Sequence, residues 1–320
     1  MDGRMLKALK TVLALSLIGL CGCAYAQIRY EPKIDNTAKK LWSVNDSKVQ
    51  CDLINDIPGY GTATFRTYSG KSRKTSLSIH PRLGITENSS MRFIATRPEW
   101  QSGGAEQLLG RIKLYSGFDA WAGPTVSWKV LNALSQGLQI YMPYTNSTIA
   151  SGQNIIPSMS PLGFKPQYEK YLDCQQRLLQ VSYTDVQMLP VVFKFQKDEL
   201  TGRSLERLKT QLEYLKEDKA VDHITIRAFA YDMTSKDDNV NLARKRSDTL
   251  KKYYSDAGFK DDMIEVKEFN SLTLPNYAED EPADESPQAR NGLVTLSRDS
   301  AKVNRDLEAS VPDVGAGTGE

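Results

Sequence analysis

The hydrophobic periodicity of this chain changes near Asp185, and that change sets what the chain can fold into. Before it, apolar residues alternate over short runs: Ala63, Phe65 and Thr67, then Leu77 and Ile79. A period of two places every second side chain on one face of a strand. Candidate strands cover residues 62–68, 75–80, 91–96, 111–115, 125–131 and 138–144. Gly, Pro, Ser and Asn punctuate them, as at Gly59-Tyr60-Gly61 and Ser102-Gly103-Gly104. Short alternating runs between turn residues predict a β-rich domain, barrel-like or sandwich-like. Trp100, Trp121 and Trp128 read as core or interface residues.

After Asp185 both periods occur in turn. Residues 186–195 form a strongly β run, with Val191, Phe193 and Phe195 on one face. Leu205, Leu208, Leu212 and Leu215 then recur at helical spacing, with Ser204 in the style of an N-cap. Residues 224–230 read as a second strand. Residues 242–257 read as a second helix stopped by Gly258. Residues 264–269 and 293–296 supply two more strands. The order βαβαβ-β predicts an α+β layer with two helices on one sheet. Residues 271–290 are acidic and contain prolines, the composition of a long loop. The last 20 residues, 301–320, are polar and Gly-rich, the composition of a disordered tail.

Residues 1–26 carry the marks of a secretory signal: Arg4, Lys7 and Lys10, an apolar run over 11–20, and Ala24-Tyr25-Ala26 before Gln27. A competing reading takes Leu20-Cys21-Gly22-Cys23 as a lipoprotein site lipidated at Cys23. Cleavage before Gln27 leaves Cys51 and Cys174, an even pair in an exported chain, and predicts a disulfide between them. The alternative is two unpaired buried thiols. The expected units are residues 27–184 and 185–300.

Charge divides between them. Residues 27–184 hold 18 Lys and Arg against 11 Asp and Glu; residues 185–300 hold 18 against 23. The whole chain has a formal net charge of only +2, so nucleic acid is not an expected partner. With two histidines in the chain and no ligand cluster near either, no metal or haem cofactor is expected. No serine sits in a nucleophile-elbow pattern. No catalytic residue emerges, and a wall amidase is the least favoured class.

The motif with functional content follows the 224–230 strand. Tyr231-Asp232 is succeeded by Asn239, Leu242, Ala243, Arg246, Ser247 and Leu250 on one helix. A strand, an acidic residue and Asn-x-x-Leu-Ala-x-x-Arg-Ser-x-x-Leu resemble the OmpA-like peptidoglycan-binding family. The resemblance covers residues 187–297 and implies a site at Asp232, Asn239 and Arg246. A guanidinium suits the carboxylate of a stem-peptide diaminopimelate, and a carboxylate suits its ammonium. The chain departs from the family where the closing Asn-Arg-Arg-Val strand reads Asn291-Gly292-Leu293-Val294. An altered ligand site is therefore expected.

The first half carries a second resemblance. Leu41-Trp42-Ser43, Cys51-x-Leu53, Ile57-Pro58-Gly59-Tyr60-Gly61-x-Ala63-x-Phe65 and Tyr171-Leu172-x-Cys174 are similar to the MotY family of flagellar motor proteins. That resemblance implies a periplasmic, non-enzymatic component of the sodium-driven polar motor and its T ring. It implies MotX and the flagellar basal body as partners of residues 27–184, peptidoglycan as partner of residues 185–300, and an indirect link to the stator. Two other readings are a general envelope anchor unrelated to flagella and a transmembrane β-barrel ahead of a wall-binding domain. Arg66, Lys113 and Lys129 within the runs argue against a continuous apolar band.

Overall fold

A computed structural model describes residues 27–32, 41–101, 103–146, 154–230, 233–267 and 292–299. The first half is built from β1 (Gln27–Tyr30), β2 (Trp42–Asp46), β3 (Gln50–Ile57), β4 (Gly61–Tyr68), β5 (Thr75–Pro81), β6 (Ser89–Thr96), β7 (Gln107–Leu114), β8 (Ala120–Ala122), α1 (Pro124–Ser135), β9 (Gln139–Tyr141), β10 (Tyr144–Thr145), β11 (Asn154–Met159) and α2 (Phe164–Arg177). These strands form two sheets rather than one closed barrel. One sheet has the order β2-β3-β4-β5-β8; the other runs β1-β11-β9-β6-β7, with β10 pairing β11. Side chains from both sheets, among them Leu53, Phe65, Leu77, Ile79, Met91 and Phe93, share one buried core with α1 and α2. The arrangement is sandwich-like.

The alternation seen around Ala63 and Leu77 does what it should, with those side chains turned into the core. Gly61 is required where β4 passes β5: a Cβ there would lie 2.0 Å from the His80 carbonyl oxygen. Residues 125–131, expected as a strand, are instead the body of α1. Pro124 occupies the first helical turn, and Val126, Val130, Leu131 and Leu134 bury at helical spacing. Strand β3 was not among the expected strands because its polar residues interrupt the alternation. Asp52 and Asn55 are both buried there. Asp52 pairs with Arg66, Nε to Oδ1 2.8 Å, and Asn55 donates to the Leu41 carbonyl at 3.1 Å. The tryptophan at the centre of the core is Trp42, whose indole N–H donates to the Ser160 carbonyl at 2.9 Å. Trp100 and Trp128 are 46 % and 42 % exposed, so neither is a core residue.

Cys51 and Cys174 are joined, Cα to Cα 6.0 Å, closing a separation of 123 residues. The bond fixes the C-terminal end of α2 to the start of β3. The Tyr171 hydroxyl reinforces the same contact, 2.7 Å from Thr67 Oγ1.

The second half contains α3 (Tyr183–Val186), β12 (Met188–Val191), α4 (Gly202–Glu217), β13 (Val221–Ala228), α5 (Lys236–Asp256), β14 (Ile264–Val266) and β15 (Gly292–Arg298). The sheet order is β12-β15-β13-β14, with β13 and β14 parallel. Leu208, Leu215, Leu250 and Tyr254 pack the two long helices onto that sheet. The chain is thus α+β, a β-rich unit followed by a helix-on-sheet unit. Strand β12 is shorter than the 186–195 run. Val186 closes the short helix α3, while Phe193 makes only a single bridge to Leu200. Thr201, not Ser204, caps α4: its hydroxyl accepts from the Ser204 N–H. The Ser204 hydroxyl accepts from the Val192 N–H at 2.8 Å. Expected loop residues 271–290 and tail residues 301–320 lie outside the described residues, as does the candidate signal.

The two halves meet over a packed joint. Val49, from the β2–β3 turn, buries in the core of the second half, and Leu179, Val181 and Tyr183 pack against the same core. Leu179 donates to the Lys48 carbonyl at 2.8 Å and accepts from Gly70 N–H at 3.0 Å. Lys48 reaches Glu217 at 2.8 Å. The Tyr183 hydroxyl donates to the Leu296 carbonyl at 2.9 Å, beneath the Arg298 guanidinium.

Candidate functional site

The site begins with the way α5 starts. Ser235 is the N-cap; its hydroxyl accepts from the Asp238 N–H at 3.1 Å and donates to Asp238 Oδ2 at 2.7 Å. Asp237 and Asp238 stand in the first turn, where the helix dipole favours negative charge. The helix therefore opens at Lys236, six residues before the expected start at 242, and Asn239 lies one turn inside. Asn239 brackets the loop that feeds the helix. Its Oδ1 accepts from the Met233 N–H, and its Nδ2 donates to the Met233 and Ser235 carbonyls, each at 3.0 Å. Asp232, one residue before Met233, lies outside the described residues.

Seven residues after Asn239, on the same helical face, comes Arg246. Its relative exposure is 0 %. Nε donates to the Lys197 carbonyl at 2.9 Å, Nη1 to the Phe229 carbonyl at 2.8 Å, and Nη2 approaches the Lys194 carbonyl at 3.4 Å. The guanidinium carbon stands 5.2 Å from the centre of the Phe193 ring. Arg246 thus ties two segments together: the 194–199 turn after β12, and the end of the β13 segment that leads to residue 232. As placed, it offers no exposed surface to a ligand. The periodic helix motif showed which face Arg246 shares; it could not show that main-chain carbonyls from two loops would converge on it.

The 194–199 turn is tightly held. Lys194 N–H donates to the Glu199 carbonyl at 2.8 Å, and its ammonium reaches Glu199 Oε2 at 2.6 Å. Lys194 holds the Glu199 carboxyl below its usual range. Gln196, at the tip, has φ 56°, and Phe195 beside it is 75 % exposed. The sequence placed Phe195 on one strand face with Val191 and Phe193; the strand ends at Val191, and the ring faces solvent.

The departure at Gly292 also has a structural reason. Gly292 pairs with Val191 on one side and Ala228 on the other. A Cβ at this position would meet Val191 Cγ2 at 2.8 Å and Phe193 Cε2 at 3.5 Å. The space an arginine side chain would enter is filled by Val191 and by the ring under Arg246. Among the described residues, no group of three or more His, Cys, Asp and Glu could hold a metal ion. No described helix is long and apolar enough to cross a membrane.

Comparison with known proteins divides the chain at the same joint. The model of the MotY N-terminal domain matches residues 30–180, and that of the OmpA family matches residues 192–288. A sodium-type flagellar protein MotY from Vibrio parahaemolyticus is 24 % identical over 254 residues, 79 % of this chain and 85 % of the relative. Among solved structures, the periplasmic domain of Helicobacter pylori MotB (residues 97–256) is similar, at 20 % identity and a TM-score of 0.27, covering 35 % of this chain and 81 % of that one. A longer form of that domain (residues 90–256) gives 19 % identity and the same TM-score, covering 36 % and 74 %. The MotY and OmpA-like families are structural rather than catalytic, and this chain is not an enzyme. The chain therefore carries, in order, a MotY N-terminal domain and a C-terminal domain of the OmpA family.

Proposed function

We propose that this chain is a periplasmic tether of the sodium-driven flagellar motor. Residues 27–184 dock MotX and the basal body, and residues 185–300 hold peptidoglycan at the loops around Asp232, Asn239 and Arg246. The observation that carries the reading is the order of the two matched domains on one chain. A docking domain joined to a wall-binding domain raises the effective concentration of each contact once the other is made. The packed joint suits a part that must not flex between an immovable wall and a loaded partner.

At the wall site, Asp232 faces the ammonium of the stem peptide and Arg246 its carboxylate. Arg246 reaches the ligand by exchanging the Lys197 carbonyl when the 194–199 turn opens. A charge-assisted bond to a carboxylate is stronger than one to a neutral carbonyl, so the exchange favours the bound state. Until then Arg246 shapes the loops. Gly292 removes one cation from the neighbourhood, which lowers affinity or changes the preferred stem peptide.

The test uses the mature chain with purified peptidoglycan and, separately, extracts of flagellated cells. Co-sedimentation with the wall, together with recovery of MotX and basal-body proteins, is the expected result. A chain that stays in the supernatant and captures no motor protein would overturn the proposal. Wall binding without motor partners would leave the general envelope anchor in its place.

A further inference from the structure

The outer face of the second N-terminal sheet carries cations that the described residues do not neutralise. Arg92 on β6 lies directly opposite Arg111 on β7, and Lys113, two residues along, lies opposite Ser90. All three are exposed, and Met91 and Phe93 on either side of Arg92 are buried, so Arg92 points outward. Among the described residues, none of these three side chains makes an ion pair. Like charges directly opposite on neighbouring strands are destabilising. Protection of an open edge explains cations on β7, the outermost strand. It does not explain Arg92, because β6 is an inner strand between β9 and β7. Leu108, 57 % exposed and opposite Ile94, extends the face with apolar surface.

The complementary charge is on the same chain. Residues 279–285 contain Glu279, Asp280, Glu281, Asp284 and Glu285 and no cation. These five carboxylates account for the whole negative excess of residues 185–300. The run itself lies outside the described residues, but its two attachment points do not. Lys267, after β14, donates to the Ile226 carbonyl, and Gly292 opens β15 opposite Ala228. From there β15 leads to Arg298, which grips Asp218 at 2.7 Å beside the joint. At about 3.3 Å per strand residue, the attachment point at Gly292 lies about 20 Å along β15 from Arg298.

We propose that the Arg92–Arg111–Lys113 face docks the acidic run 279–285 of a second copy. The contact joins two different surfaces, so it is head-to-tail and repeats from copy to copy. It is independent of the wall site.

A zero-length carbodiimide couples the Lys113 amine to any carboxylate in direct contact. The experiment treats a mixture of unlabelled and nitrogen-15 mature chains and maps the tryptic cross-links. The expected product joins a Lys113 peptide of one label to the 268–290 peptide of the other. It should be lost in Arg92→Glu/Arg111→Glu, and equally when Glu279, Glu281 and Glu285 become Gln and Asp280 and Asp284 become Asn. The second variant leaves the β-rich fold untouched. High salt should suppress the product. Absence of the product, a product formed only within one label, or a product that survives the arginine reversals would overturn the contact. Sedimentation with peptidoglycan should be unchanged by Arg92→Glu/Arg111→Glu, which separates failure here from failure of the wall-anchor reading.

Discussion

The Arg246 guanidinium donates to the Phe229 carbonyl at 2.8 Å, and this bond ties helix α5 to the chain leading toward Asp232. The same side chain holds the Lys197 carbonyl on the opposite loop. The first prediction follows from that double role. Arg246→Ala should weaken sedimentation with peptidoglycan and also lower the stability of the C-terminal domain. It leaves a void and the buried Phe229 carbonyl without this donor, a loss on the order of 3 kcal/mol. Arg244→Ala, at an exposed position of the same helix, should change stability by no more than about 0.5 kcal/mol. Asp232→Ala should separate the two effects. It should reduce wall affinity by about ten- to a hundredfold, the worth of a charge-assisted contact of roughly 1.5–3 kcal/mol, with an unchanged melting curve. Normal wall binding by the Asp232 and Arg246 variants would remove the site.

The joint makes a prediction about where the chain can be cut. A fragment starting at residue 185 leaves behind Leu179, Val181 and Tyr183, all of which pack on its core. It also loses the Tyr183 hydroxyl bond to Leu296. A fragment starting at residue 178 should therefore melt cooperatively at a higher temperature than one starting at 185. Equal melting temperatures would mean that the linker side chains add nothing to the second domain.

How much of this was legible in the sequence depended on whether a residue's partners were close in the chain. Alternation exposed β4 and β5, where Phe65 and Leu77 face one core. Helical spacing exposed α4, where Leu208 and Leu215 do the same. Strand β3 was hidden because Asp52 and Asn55 are buried polar residues whose partners, Arg66 and Leu41, come from elsewhere. Helix α1 reads as a strand because Val126, Trp128 and Val130 alternate; the signal that decides it is Pro124 at the first turn. At the site, the face shared by Asn239 and Arg246 was readable from their seven-residue spacing. That carbonyls from residues 194, 197 and 229 surround Arg246 was not, since main-chain acceptors leave no mark on the sequence.

Acid should loosen the joint in a defined direction. The Ser182 N–H donates to Asp185 Oδ2 at 2.7 Å, and the Ser182 hydroxyl does the same. These bonds hold the Asp185 carboxyl below its ordinary value. A depressed folded-state pKa contributes stability above the unfolded value and loses it as pH falls through the folded one. Wild type should thus exceed Asp185→Asn in urea midpoint at neutral pH, and the gap should close below the ordinary carboxylate range. A gap that persists in strong acid would show that the carboxylate charge is not what caps α3.

The disulfide restrains an unfolded loop of 123 residues, for which chain entropy allows about 4–5 kcal/mol. Cys51→Ser/Cys174→Ser should lower stability by up to that amount. It should also weaken the joint, because Cys51 follows Val49 and Cys174 precedes Leu179 by only a few residues. Non-reducing peptide mapping should recover the two cysteines in one linked pair; recovery of both as free thiols would refute the bond.

The buried pair Asp52–Arg66 gives the last test, and it distinguishes two ways of removing a charge. Arg66 Nε stands 2.8 Å from Asp52 Oδ1 and Nη2 3.1 Å from Oδ2, with both side chains less than a tenth exposed. Taking two charges out of water costs several kcal/mol for each, which the mutual attraction largely offsets. Asp52→Ala leaves a guanidinium buried without its carboxylate and should destabilise the β-rich domain by about 3–5 kcal/mol. Asp52→Leu/Arg66→Met replaces both with apolar side chains and should be far less damaging, within about 1–2 kcal/mol of wild type. Urea unfolding of the two variants decides the point. If the double variant is as unstable as the single one, the pair supports the fold through its fixed geometry between β3 and β4, and not through charge compensation alone.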